Sequence, residues 1–126
     1  MAYNKYGRER VSHSGYSFAS KLEAAVFDIL KWREKAKEIG NIRCQAQVSL
    51  SRAKIIYKPD FFCTDLKTGW DFYVEAKGYQ TPEWRLKRRL WIAYGPATLE
   101  IWGGTHTRPR LIEVLEPNRG DDEPAI

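Results

Sequence analysis

Asp60, Glu75 and Lys77 are the residues whose types and spacing point to chemistry. They lie in the stretch from Tyr57 to Gly78, YKPDFFCTDLKTGWDFYVEAKG. Residues Trp70 to Lys77 alternate, which predicts a strand. Trp70, Phe72, Val74 and Ala76 share one side of it, and Asp71, Tyr73, Glu75 and Lys77 share the other. Glu75 and Lys77 are then neighbours on one face, about 7 Å apart along the strand. An earlier strand carries Pro59-Asp60, and Asp65-Leu66-Lys67-Thr68-Gly69 between them has the composition of a hairpin turn. Pairing the two strands brings Asp60 next to Glu75. Carboxylates that close repel unless a cation lies between them, so the arrangement points to a hard divalent metal. Mg²⁺, with Mn²⁺ as a substitute, suits a sparse oxygen set of Asp60, Glu75 and the Ala76 carbonyl, because magnesium keeps several of its waters.

Pro59-Asp60, fourteen intervening residues and then Glu75-Ala76-Lys77 resembles the PD-(D/E)XK signature of metal-dependent nucleases. Flanking segments extend the resemblance over roughly residues 4 to 102. Asn4-Lys5-Tyr6-Gly7, Phe18-Ala19-Ser20-Lys21-Leu22-Glu23-Ala24 and Thr81-Pro82-Glu83-Trp84-Arg85-Leu86-Lys87-Arg88-Arg89-Leu90 are similar to an uncharacterised phage-encoded branch of that superfamily. The outline of Ser-x-Leu-Glu on a helix, then a PDF strand and an ExKG strand, also resembles phage junction-resolving endonucleases. The resemblance implies an α/β, restriction-endonuclease-like core with a central mixed β-sheet flanked by helices, in the order α-β-β-β-α-β. It implies a Mg²⁺-dependent endodeoxyribonuclease acting on branched DNA in the manner of a Holliday-junction resolvase. It also places a glutamate of the first helix, here Glu23, at the metal site, and it implies a homodimer. The expected setting is the cytoplasm of a phage-infected or prophage-carrying bacterial host.

Bulk properties fit that class. The chain has 126 residues, enough for a single core, and 43% apolar with 13% aromatic residues excludes a disordered chain. No apolar run reaches the eighteen or so residues of a membrane span, and no signal-peptide pattern is read, so no membrane partner is expected. Cys44 and Cys63 fall within expected strands without a zinc-site spacing, and are read as buried, reduced thiols. The net charge of +5 divides unevenly: the segment from Glu116 onward carries −3, leaving +8 on residues 1–115. A basic body with an acidic tail points to a polyanionic partner. Residues 1–115 are read as one domain and residues 116–126 as a disordered acidic tail. Within the domain, residues 1–15, bearing Lys5, Arg8 and Arg10, are read either as a flexible basic arm or as a short strand from Arg8 to Val11 turning back through Ser14-Gly15.

Several elements must position the chemical residues. The spacing of Leu22, Val26, Ile29 and Leu30 predicts a helix from about Phe18 to Ile39. Ser20 and Glu23 have capping-box spacing, so Glu23 serves either the helix start or, with Ser17 as cap, the site. Strict alternation from Ile42 to Leu50 predicts a half-buried strand, followed by a turn at Ser51–Lys54 and a strand from Ile55 to Cys63. Gln45 and Gln47, on the polar face of the first of these, are read as solvent-exposed, although either can reach the site. Thr81 as N-cap and Pro82 at the first helical position open a second helix, with Leu86, Leu90 and Ala93 as its buried stripe. Arg85, Lys87, Arg88 and Arg89 on that helix are the expected phosphate contacts, and Trp84, Trp91 and Trp32 of the first helix are read either as packed within the monomer or as aromatic surface that a dimer could use. Thr98–Trp102 is read as a strand, Gly103–Arg110 as a loop and Leu111–Leu115 as a last strand.

Two other function classes stand beside the nuclease. A catalytically inactive relative would serve as an accessory DNA-binding protein, keeping the basic helix but losing an acid, and none of the acids is missing. An RNA-binding module needs aromatic platforms on an exposed sheet face, whereas Trp70 and Phe72 alternate like core residues. The bland alternative for the site is an exposed Glu75–Lys77 salt bridge worth ~0–1 kcal/mol, with Asp60 a turn residue.

Overall fold

The computed structural model describes residues 10–51, 54–77 and 80–117. Lys5, Arg8, the Asn4–Gly7 segment, the Arg52-Ala53 centre of one turn and most of the expected acidic tail lie outside the described residues.

Residues 11–18 take the second reading of the N-terminal segment, a strand that turns back through Ser14-Gly15, with the strand itself at Val11–His13. Strands β1 (Val11–His13) and β2 (Tyr16–Phe18) form a hairpin whose turn, Ser14-Gly15, has positive φ at both positions. Paired positive φ gives the backbone twist that favours a two-residue hairpin. Phe18, assigned to the helix by its spacing, instead buries its ring from β2 against Phe27 and Phe61, at centroid distances of 5.1 and 6.2 Å. Helix α1 therefore starts later, at Lys21–Lys35, with Ser20 as N-cap accepting the Glu23 N–H at 3.0 Å.

A mixed sheet of five strands follows, in the spatial order β3-β6-β7-β8-β9. Its strands are β3 (Ile39–Cys44), β6 (Phe61–Asp65), β7 (Asp71–Ala76), β8 (Thr98–Thr105) and β9 (Arg108–Leu115). Neighbours pair antiparallel except β7 and β8, which run parallel and are joined through helix α2 (Pro82–Tyr94). The short strands β4 (Val48–Ser49) and β5 (Ile56–Tyr57) pair separately as an excursion between β3 and β6. The long strand expected over Ile42–Leu50 is split because Gln45 takes a positive φ of 58°, a conformation outside any strand. The strand expected over Ile55–Cys63 breaks at Lys58–Asp60, where Pro59 offers no N–H to a ladder. The expected loop over 103–110 is a tight β8–β9 hairpin. Gly104 makes it possible: its φ is +84°, and a Cβ there would lie 2.4 Å from the Arg108 carbonyl oxygen.

Two apolar clusters sandwich the sheet. On one side α1 and β2 supply Phe18, Leu22, Val26, Phe27 and Leu30 against Ile39, Phe61, Cys63, Phe72 and Val74. On the other, Trp84 and Trp91 of α2 pack with Val48, Leu50, Tyr57, Leu99, Ile101 and Leu115. The stripe expected for α2 is thus rotated. Leu86 is 52% exposed and Ala93 is exposed, whereas Trp84 and Trp91 are 2% and 0% exposed. Two indoles a helical heptad apart cover far more sheet than leucines do, and their burial decides the helix's orientation. They take the first of the two readings, packing within the monomer, while Trp32 on α1 is 69% exposed. Cys63 is buried as expected, but Cys44, beyond the β3 bulge, is exposed. Among the described residues no helix is long and apolar enough to cross a membrane.

The rotated stripe sets a stability order. Trp91→Ala should cost about 3–5 kcal/mol, while Leu86→Ala should stay within about 0.5 kcal/mol, both measured by urea unfolding. Equal costs at the two positions would put the leucine stripe back in the core.

Candidate functional site

The β6–β7 register places Phe61 opposite Val74, so the residues just outside that pair, Asp60 and Glu75, face one another. The link is reciprocal. The Asp60 N–H donates to Glu75 Oε1 at 3.2 Å, and the Ala76 N–H donates to Asp60 Oδ2 at 2.8 Å. Gln45, bent back by its positive φ, donates its backbone N–H to the Asp60 carbonyl at 3.0 Å and its side-chain amide to Asp60 Oδ1 at 3.4 Å. Lys77, one alternation beyond Glu75, places Nζ 3.3 Å from Glu75 Oε2 and 5.1 Å from the centre of the Trp84 ring. Its backbone N–H continues the ladder to the Trp102 carbonyl at 2.7 Å.

Both faces of the sheet are covered, so this is no solvated salt bridge. Glu23, Asp60 and Glu75 are 7%, 9% and 6% exposed. Burial drives all three carboxyls upward. Asp60 is raised well above the usual range, first by burial and then by the charges of Glu75 and Glu23. Glu75 is raised by burial, opposed by Lys77, the Tyr57 hydroxyl and the Asp60 N–H. Glu23 is pushed up to about 7 by burial and by the charge of Glu75, against the Ala19 N–H and the Arg10 guanidinium. Ser20 caps α1 through its own hydroxyl, and Glu23 nevertheless feels the other two acids. The helix start and the site therefore share this residue.

Asp60, Glu75 and Lys77 are thus joined directly, and Glu23 lies near enough for its charge to act on Asp60 and to feel Glu75. The structure treats the expected phosphate contacts unequally. Arg85 and Arg89 are exposed, whereas Lys87 donates to the Ile56 carbonyl at 2.9 Å and Arg88 forms a two-pronged ion pair with Glu113. Arg10 is held by the Ser17 hydroxyl and carbonyl at 2.9 and 2.8 Å, beside the carboxylates rather than on a free arm. Sequence reasoning missed Tyr57 and Trp84. The Tyr57 ring packs on Trp84 and Trp91, and its hydroxyl is buried close enough to Glu75 to act on that carboxylate but outside the geometry of a formed hydrogen bond; the Trp84 indole N–H is likewise without a partner in hydrogen-bonding geometry. The signal was a tyrosine three residues before Asp60, in a segment otherwise apolar or basic.

A metal fits this donor set by its chemistry. Asp60 and Glu75 offer hard oxygens whose second lone pairs remain free, and three buried acids face one ammonium and one guanidinium. Among the described residues no three His, Cys, Asp or Glu side chains form a ready-made ligand cluster. Asp60 and Glu75 are the residues whose oxygens could hold a hard divalent cation. A cleft of about 640 Å³, lined by Trp70, Asp71, Pro96 and Thr98 among others, opens at the far end of β7 and is not lined by any of these acids.

The burial of Glu23 makes stability depend on pH. Its folded carboxyl holds a proton that the unfolded chain releases near 4.5, so stability falls as pH rises from about 4.5 to about 7. The loss from this group is on the order of 3 kcal/mol. Asp60 and Glu75 add to it with the same sign. In metal-free buffer Glu23→Gln should flatten the curve and raise stability at pH 8, as read by urea unfolding. Parallel curves for the two proteins would show that Glu23 is ionised in both states across that range.

No curated protein and no solved structure matches the chain. Residues 3–101, the span that holds Glu23, Asp60, Glu75, Lys77 and α2, match a family described as "Protein of unknown function (DUF1064)", and the chain belongs to that family.

Proposed function

We propose that this protein is a divalent-cation-dependent DNA endonuclease built on a restriction-endonuclease-like core. The observation that carries the reading is the burial of Glu23, Asp60 and Glu75 together, with Lys77 against Glu75. Buried acids that repel one another cost stability, and such groups cluster where chemistry requires them. Asp60, Glu75 and the Ala76 carbonyl would hold Mg²⁺, with Mn²⁺ able to substitute. Bound there, such a cation would supply positive charge for the phosphoryl oxygens and acidify water.

The rest is the work of the chain's own groups. Phosphodiester hydrolysis adds a water oxygen to phosphorus, breaks one P–O bond and moves the water proton to the leaving oxygen. Lys77 carries the positive charge that stabilises the phosphoryl oxygens as negative charge builds. Glu23, poised near neutrality, can take or give the proton at working pH. Trp84 and Glu75 hold the Lys77 ammonium between them. Arg85 and Arg89 on α2, which begins five residues after Lys77, contact the phosphate backbone and carry no sequence information. Branched DNA is the proposed substrate in the host-cell cytoplasm. One set of acids cuts one strand, so resolving a branch calls for a two-fold homodimer.

Glu75→Ala and Lys77→Ala should each lower Mg²⁺-dependent cleavage by about 10²–10³-fold or more while DNA binding persists. Ca²⁺ should support binding without turnover, because its variable coordination positions water poorly. A panel of labelled four-way, flap, duplex and single-stranded DNAs reads both activity and preference. Full activity of Glu75→Ala with Mg²⁺ would sink the site. Tight binding with no cleavage of any substrate would favour the accessory DNA-binding protein instead.

Arg85→Ala/Arg89→Ala should also flatten the slope of log affinity against log salt by about 2, alike for unrelated sequences. An unchanged slope would place the DNA on another face.

A further inference from the structure

Among the described residues two buried side-chain donors have no hydrogen-bond partner, the Tyr57 hydroxyl and the Trp84 indole N–H. They stand in one wall of one site, with ring centroids 6.1 Å apart. A buried donor left unpaired costs about 1–3 kcal/mol, and native interiors leave few of them. Tyr57 makes the point most sharply. It belongs to a cluster that is otherwise apolar apart from two indoles, where phenylalanine would fill the same space without that cost. Its ring sits edge-on to Trp91 at 5.9 Å. Strand β5 is tied to α2 by the bond from Lys87 to the Ile56 carbonyl, at 2.9 Å. The ring therefore has little freedom, and its hydroxyl is held toward the Glu75 carboxylate.

We infer that Tyr57 is a positioning residue that acts through Glu75, its hydroxyl donating to that carboxylate and fixing its orientation when the site holds a divalent cation. The inference rests on the metal-dependent reading above. Glu75 has room for the donor. Oε1 accepts the Asp60 N–H at 3.2 Å and Oε2 faces Lys77 at 3.3 Å, and each carboxylate oxygen can accept twice. A small rotation of the carboxylate toward a cation would bring the phenol into line, so the unpaired hydroxyl and the loaded site resolve each other. Supporting donors of this kind fix the presentation of a ligating carboxylate, and their loss lowers metal affinity by about 10–100-fold. Trp84 does the matching service for Lys77, whose Nζ lies 5.1 Å from its ring centre. The excursion β4–β5, which adds nothing to the main sheet, thereby gains a role: it delivers the hydroxyl.

The test uses the whole protein and Mn²⁺ alone. Titration calorimetry on wild type, Tyr57→Phe and Glu75→Gln is paired with thermal unfolding of each in chelator. Tyr57→Phe should bind Mn²⁺ about 10–100-fold more weakly, while its metal-free Tm equals or exceeds that of wild type because an unpaired buried hydroxyl is gone. The Mn²⁺ paramagnetic-resonance signal should broaden differently in the two proteins. Equal affinities for wild type and Tyr57→Phe would overturn the inference and leave the metal-dependent reading standing. Weaker binding together with a lowered Tm would show a merely structural hydroxyl and also overturn it. A wild type that takes no Mn²⁺, like Glu75→Gln, would overturn both.

Discussion

The reciprocal link between Asp60 and Glu75 is the constraint on which the rest depends. Two carboxylates oppose each other across an antiparallel pair, more than nine-tenths buried, and each accepts a main-chain N–H from the other's strand. Main-chain donors cannot be moved by a rotamer change, so the acids stay where the register puts them. A slip of β6 by one residue would turn every side chain to the opposite face and dissolve the site. Other elements act to prevent that slip. Pro59 ends β5 before Asp60, the Asp65 side chain accepts the Lys67 and Thr68 N–H groups at 2.8 and 3.2 Å, and Gly69 closes the turn at a φ of 78°. A turn of fixed length sets the pairing, and the pairing sets the chemistry.

Both layers that cover the sheet feed this one position. On the α1 side, Ser20 starts the helix where Glu23 enters the buried space, and the β1–β2 hairpin carries Arg10 alongside. His13 fastens the hairpin to the helix through Asp28 at 2.7 Å. On the α2 side, Thr81 caps the helix by accepting the Trp84 N–H at 3.1 Å, which places the Trp84 ring under Lys77. A single turn of helix thus joins a backbone capping bond to the placement of the lysine. Lys77 is held from two sides, and its charge meets only part of what three acids present.

The sequence makes the centre of this arrangement legible and its walls much less so. Strand β7 and the approach of Asp60 to Glu75 follow from alternation plus a turn, because a period of two and a short hairpin leave one pairing. The Thr81-Pro82 start of α2 follows from capping chemistry alone. What failed are features decided by tertiary competition. Leucines at helical spacing in α2 looked like the core stripe, but two tryptophans seven residues apart took the sheet, leaving Leu86 exposed and Leu90 partly buried beside them. The bulge within β3 goes with a positive φ at Asn41 and the break after it with one at Gln45, residue types that take it without glycine's announcement. Arg88 could not be known to face Glu113, since β9 reaches it only through the fold.

The same break explains why a polar strand end sits at a buried site. Had β3 run on through Gln45 as a regular strand, its ladder with β6 would have continued past Cys44 and Phe61 toward Asp60. Instead the chain turns, and Gln45 offers Asp60 both its backbone and its side-chain amide. The β4–β5 excursion then leaves the sheet, folds against α2 and returns through Tyr57 to Pro59. A local departure from strand geometry thereby surrounds Asp60 and Glu75 with amide and phenol donors, while the acids themselves remain anchored by the ladder. Regular structure fixes the charges, and irregular structure supplies the groups that face them.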